Sequence, residues 1–305
     1  MKRRTQTPIW CLLVTMVLLG TAGTVRVQAD KLRWQWTAGD VYQVKCISKA
    51  NIAVLAGDDK LSYQNEVIVT GQWTVVEFNS SEVARLHWQV ARVQINPNPV
   101  KDQVTVDTEV PAKTEEQKTL HATLRGLLQK RFELLVNTTA RLSVVKEIPH
   151  DSAKSGNTQP RRSEVQARVP LLPQVFHAEG VAQAFAHLFV EFPFADVEPG
   201  ASWKRKEPVN TPYPKDLTVY RYLGINPQGP DISFTSKVQF PINTNNDIEV
   251  QNQQVSGNLF INSNEQFIEK VVVELSLQTS THDDGQEINV IHEESSVIEL
   301  KKLLR

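Results

Sequence analysis

The sequence predicts a mainly β (α+β) fold: curved antiparallel sheet in two halves that read as related, with one or two amphipathic helices packed on the sheet. Three observations carry this. Apolar residues alternate with period two along most of the chain, the pattern of half-buried strands. The alternating runs are joined by short polar turns, as in an antiparallel meander. Only two stretches show helical spacing of apolar residues.

The first thirty residues read as an export signal. Lys2, Arg3 and Arg4 form a basic start, residues 9–20 an apolar run, and Val27-Gln28-Ala29 a small-residue cleavage site, giving a signal peptide over residues 1–29. The Arg3-Arg4 pair hints at twin-arginine export, but Gln6 stands where that motif wants a large apolar residue, which favours general secretion. The competing reading is an uncleaved anchor, because no charge interrupts the chain between Arg4 and Arg26. Cys11 lies too early in the apolar run, and too far from small residues, for a lipoprotein signal.

Residues 30–148 read as an N-terminal β-rich half. In "LRWQWTAGDVYQVKC" (32–46), Leu32, Trp34 and Trp36 alternate with Arg33, Gln35 and Thr37. A hairpin around Ala38-Gly39-Asp40 would set Trp36 opposite Tyr42, Trp34 opposite Val44 and Leu32 opposite Cys46, keeping every apolar side chain on one face. This makes the tryptophans a buried first strand rather than an exposed ligand clamp. A long strand follows, with Val67, Val69, Trp73 and Val75 in phase and Gly71 marking a bend or bulge. After a turn at Asn79-Ser80-Ser81, Leu86, Trp88 and Val90 share a face; the phase then slips to Ala91, Val93 and Ile95.

A helix is expected near residues 114–130. Thr114 and Gln117 make a capping box, and Leu120, Leu124, Leu127 and Leu128 form its stripe. Residues 149–172 are polar, broken by proline, and read as a linker or loop. Residues 173–305 open with a helix near 179–190, striped by Val181, Ala184, Phe185, Leu188 and Phe189 and stopped by Pro193. A C-terminal β-rich half follows. "LLVNTTARL" (134–142) aligns with "LFINSNEQF" (259–267), and "AGDVYQVK" from Ala38 with "PGASWKRK" from Pro199, which suggests duplication with the first helix inserted in the first half.

Charge and cysteine content narrow the function. The chain has 33 basic and 34 acidic residues. Removing 1–29 takes away Lys2, Arg3, Arg4 and Arg26 and leaves a net charge of −5, which argues against a nucleic-acid partner. Cys46 would then be the sole cysteine, so no internal disulfide forms and the core must hold the fold.

Searches for chemistry end without a site. His187 and Glu191 fall i, i+4 on the second expected helix, but a metal needs a third ligand and none is nearby. His282, Asp283, Asp284 and Glu287 sit in a hairpin-like Asp-Gly turn, too compact for a calcium loop. His292 and Glu294 share a strand face while Glu293 points away. Asp58 and Asp59 belong to another turn. Ser202 lacks the second glycine of a nucleophile elbow, Cys46 faces a core, and His87 lies on the solvent side. No catalytic, cofactor-binding or metal residue is assigned, and no cofactor is expected.

The stretches "LRWQWTAGDVYQV", "FELLVNTTARLSVV", "VEPGASWKR" and "LTVYRYLGI" resemble an uncharacterised family of exported bacterial proteins, a domain of unknown function that opens with an alternating aromatic strand and a Gly-Asp or Gly-Glu turn. The resemblance implies a fold more than a function. That family has no established activity, so no functional residue carries over. The expectation is therefore an exported, periplasmic or extracellular, non-enzymatic protein in a binding or envelope-associated role, with a protein or apolar ligand as partner. The first alternative is a carrier of a lipid or other apolar ligand between sheet and helix, the second a hydrolase with a dispersed site. Membrane contact would come only through an uncleaved N-terminal segment.

Overall fold

The computed structural model describes residues 32–79, 81–97, 105–139, 141–149, 178–185, 187–193, 195–205, 215–226, 231–238, 249–262, 264–265, 267–283 and 286–303. The signal segment and the 149–172 linker lie outside these residues, except for residue 149. Along the chain run β1 (Val41–Ala56), β2 (Asp59–Phe78), β3 (Val83–Pro97), β4 (Val106–Asp107), α1 (Glu115–Leu128), β5 (Arg131–Asn137) and β6 (Leu142–Ile148). Then come α2 (Ala178–Ala184), β7 (Ser202–Arg205), β8 (Lys215–Tyr222), β9 (Ile232–Val238), β10 (Glu249–Asn262), β11 (Phe267–Asp283) and β12 (Gln286–Leu303).

All strands join one antiparallel sheet in the order β6-β5-β3-β2-β1-β12-β11-β10-β9-β8-β7, with β4 paired to β3. The fold is mainly β, and the two helices among the described residues are small additions. The first described strand pairs with the last: β1 lies between β2 and β12 over its whole length. This overturns the expected hairpin between residues 32–36 and β1. Both edges of β1 are occupied, so the segment crosses the face of the sheet instead, and the Trp34 N–H donates to the Thr138 carbonyl in the β5–β6 turn (3.0 Å). The inward set is as expected: Leu32, Trp34 and Trp36 are buried.

These tryptophans belong to an aromatic plug. Trp34 and Trp36 stack on each other with centroids 4.7 Å apart. Trp34 also meets Phe189 and Phe267, and Trp36 meets Tyr42 edge-on. Trp73, Trp88, Phe185 and Phe189 complete it from β2, β3 and the segment after α2. The indole N–H groups of Trp34, Trp36, Trp73 and Trp88 find no hydrogen-bond acceptor among the described residues, a cost that the ring packing must outweigh.

The plug also shows how the sheet curls. Phe192 donates its N–H to the Thr139 carbonyl, beyond the end of β5 (2.9 Å). Three residues earlier, the Phe189 carbonyl accepts from Arg205 on β7 (2.9 Å), and the Glu191 carbonyl accepts from the Trp203 indole (3.1 Å). Laid flat, neighbouring strands about 4.8 Å apart would hold β5 and β7 roughly 40 Å from each other. Four extended residues reach no more than about 14 Å. The sheet therefore bends round residues 189–192 as a half-barrel. The regular part of the second helix stops at Ala184, not near residue 190; turns continue beyond it, with the Phe189 N–H donating to the Phe185 carbonyl.

Local predictions hold where the determinants are local. Thr114 Oγ1 accepts from the Gln117 N–H and Gln117 Oε1 from the Thr114 N–H, each at 3.2 Å, closing the capping box of α1. Leu124 is fully buried beneath α1. Register shifts fall at Thr70/Gly71 on β2, opposite Arg92 and Val90 of β3. The extra residue is Ala91, which is exposed and does not join the buried row of Val93 and Ile95. Asn79, Asn137 and Asn262 each cap their turns by accepting backbone N–H groups.

The turns before β1 and β7 share a hydrogen-bond pattern. Gly39 and Gly200 both have positive φ, 84° and 92°. Gly39 N–H donates to Val75 and Gly200 N–H to Tyr222; Val75 N–H returns to Asp40 and Tyr222 N–H to Ala201. Asp40 N–H closes on Thr37 and Ala201 N–H on Glu198.

Candidate functional site

The five central strands are longer than the plug they enclose. On β1, Tyr42 and Val44 are buried against it; from Ser48 onward the same face is only partly covered. The pairing of β1 with β2 and β12, and of β12 with β11, is free of register shifts, so the inner face can be followed row by row. Val67, Ser48, Ser296 and Val273 form the row at the rim of the plug. Beyond it lie Asn65, Ala50, Glu294 and Leu275, then Tyr63, Ile52, His292 and Leu277, then Leu61, Val54, Val290 and Thr279. Leu61 is 60% exposed, and Ile52, Val54, Val290 and Leu277 are half-buried. The described helices pack elsewhere, α1 on β3 and β4 and α2 on β6.

A polar cluster sits within this apolar floor. Glu294 Oε1 accepts from Ser48 Oγ (3.0 Å) and from Ser296 Oγ (2.9 Å). His292 Nε2 stands 3.8 Å from Glu294 Oε2, beyond hydrogen-bond reach. The Glu294 side chain keeps 15% of its surface exposed and that of His292 26%. In the same row as Glu294, two strands away, Asn65 Oδ1 is buried without a hydrogen-bond partner. Ala50 lies between them and offers only a methyl group.

Both serine hydroxyls donate to the carboxylate, and neither is paired to the His292 imidazole. The described residues contain no group of three or more His, Cys, Asp and Glu placed to hold a metal ion.

The other residues considered from sequence are dispersed. His187 and Glu191 do not share a helix: His187 stacks on Phe234, centroids 5.1 Å apart, and the Glu191 carbonyl serves Trp203. His282 and Asp283 pair with Glu287 and Gln286 at the closed end of the β11–β12 hairpin, and Asp284 lies outside the described residues. Ser202 is exposed at the start of β7. His87 is not simply solvated: its Nε2 lies 3.7 Å from Glu133, which Lys146 and Arg85 also approach, and the Lys146 hydrogen bond holds that carboxyl below its usual range. Cys46 faces inward between Val69 and Ile298, partly buried, and burial pushes its thiol up to about 12.

The space beneath the second helical segment is filled. Phe185 is fully buried against Trp73 and Trp88 at 4.9 and 5.1 Å. Apolar side chains that stay partly uncovered lie instead on the outer half of the sheet face. Alternation placed His292 and Glu294 together, but Ser48, Ala50 and Asn65 join them only through the β1–β12 and β1–β2 pairings.

No protein-family model matches the chain, and no curated protein matches it. Among solved structures it is similar to lipovitellin, in a structure described as lipid–protein interactions in lipovitellin. The TM-score is 0.48 at 10% identity, over 88% of this chain and 25% of that one. The chain thus spans about a quarter of the lipovitellin chain it matches. It is also similar to DynF of the dynemicin biosynthesis pathway of Micromonospora chersina (TM-score 0.21, 7% identity, 98% of this chain and 92% of that one). A third is a putative outer membrane lipoprotein-sorting protein domain from Vibrio parahaemolyticus (TM-score 0.15, 8% identity, 85% of each chain). No helix among the described residues is long and apolar enough to cross a membrane.

Proposed function

We propose that this is an exported, non-enzymatic binding protein of the cell envelope that holds an apolar ligand on the outer half of its inner sheet face. One observation carries the reading: the face sealed by aromatic rings at Tyr42 and Val44 continues past them as half-covered Ile52, Val54, Val290 and Leu277, with Leu61 60% exposed. Apolar surface of this kind, rimmed by polar groups, suits a partner that removes it from water. Export rests on the basic, apolar and small-residue pattern of residues 1–29.

The two halves of the sheet arose by duplication in this reading. The matching bonds at Gly39 and Gly200 support it, as does the strand order, in which β6-β5-β3-β2-β1 and β11-β10-β9-β8-β7 flank β12.

Native mass spectrometry of protein purified from the exported fraction tests the function. The expected result is a population carrying an apolar adduct that organic solvent strips, and that Val54→Asp protein lacks. Ligand-free protein that also fails to take up added long-chain amphiphiles would overturn it.

A further inference from the structure

We infer that the ligand is a single-chain amphiphile with a primary ammonium head, seated over Ala50 beside Glu294; this rests on the apolar-ligand reading above. The head position follows from what the cluster offers. Glu294 Oε1 is already filled by two serine hydroxyls, which fix the carboxylate in place. Oε2 has only the His292 nitrogen at 3.8 Å. Ala50, the neighbour of Glu294 on β1, leaves the low point of the row. An ammonium group supplies the donor and the opposite charge that Glu294 Oε2 lacks. A carboxylate or phosphate head would face Glu294 with like charge on a largely apolar floor, where repulsion is least screened.

The tail position follows from the rows beyond. From Ala50 to Ala56 the strand runs roughly 20 Å. Along it Ile52 lies between Tyr63 on β2 and His292 on β12, Val54 between Leu61 and Val290, and Ala56 between Asp59 and Ile288. Ile52, Val54, Leu61, Val290 and Ile288 make these rows more apolar than the Ser48–Glu294 end. A single extended chain with its head at Ala50 matches that polarity.

Isothermal titration calorimetry of the purified protein with dodecylamine, dodecanol and dodecanoate, each below its micelle concentration, tests the assignment. Dodecylamine should bind about tenfold or more tighter than dodecanol, as a charge-assisted hydrogen bond exceeds a neutral one, with dodecanoate weakest. Glu294→Gln should bring dodecylamine down to the dodecanol affinity, while Glu293→Gln, exposed on the opposite face, should leave the ranking intact. The wild-type ranking stands by itself as a test if Glu294→Gln protein does not fold. Equal binding of the three amphiphiles, or tightest binding of dodecanoate, would overturn the ammonium assignment and leave the apolar-ligand reading standing. Binding to vesicles of an ammonium-headed phospholipid without binding monomeric dodecylamine would also overturn it, in favour of a membrane surface. Binding of none would overturn both readings.

Discussion

The Trp88 ring lies directly over Gly71, where a Cβ would collide with the indole and approach the Gln89 carbonyl oxygen to 2.5 Å. Glycine here lets a β3 aromatic lie across β2 at the register shift, and so lets the sheet bend beside the plug. Gly257 on β10 likewise makes room for a ring, where a Cβ would meet Phe234 at 2.5 Å, but it lies at no register shift. Gly71→Ala should lower unfolding stability by about 1–3 kcal/mol, the range for overpacking a filled core. Gly126→Ala, on the exposed side of α1 with nothing within 4 Å of the new methyl, should raise it by about 1 kcal/mol through helix propensity. Urea denaturation followed by tryptophan fluorescence reads both.

Arg205 ties β7 to the plug that Thr139 holds from the other end of the sheet. Arg205→Ala leaves the Phe189 carbonyl without its charged donor and should cost about 1.5–3 kcal/mol. Hydrogen exchange should show faster opening of β7 and β8 in this variant, with β1 and β2 unchanged.

Asp231 is buried at the start of β9 and accepts the N–H groups of Asn226 (2.7 Å) and Ile261 (2.6 Å), stapling β9 and β10 together. Asp231→Ala orphans both donors, each a penalty of about 1–3 kcal/mol. Its midpoint in a urea titration should fall well below that of wild type.

Asp107 supplies a pH dependence of known sign. The Arg92 guanidinium, with the Glu109 N–H and Gln94, holds its carboxyl below the usual carboxylate range. A carboxyl whose folded value is depressed stabilises the fold above its unfolded value, near 3.9. That contribution fades as pH falls through the folded value. Asp107→Asn should therefore be less stable than wild type at neutral pH, with the gap closing below about pH 4. Thermal unfolding across that range measures it.

Much of the fold can be read locally. The Thr114–Gln117 box, the Gly71 bulge and the burial of Trp34 and Trp36 follow from residues within a few positions of one another. What could not be read is which strand lies beside which. β1 pairs with β12 across nearly the whole sequence, and no local pattern marks that choice. It displaced residues 32–36 from the expected hairpin onto the sheet face. The second helix ends at Ala184, short of its apolar spacing, and the segment after it bonds to distant strands through Phe189, Glu191 and Phe192. The candidate site shows the same division. Alternation set His292, Glu294 and Ser296 on one face, but Ser48, Ala50 and Asn65 complete the cluster only after β1 is placed between β2 and β12.

The most direct test of the inner face as ligand surface compares adjacent residues of β1. Val54→Cys and Ala53→Cys point to opposite faces, and each can carry a polarity-sensitive fluorophore in a Cys46→Ala background that removes the partly buried native thiol. Addition of dodecylamine should shift the emission of the label at position 54 to the blue and leave that at position 53 unmoved. Equal responses at both positions, or none at position 54, would contradict the binding surface.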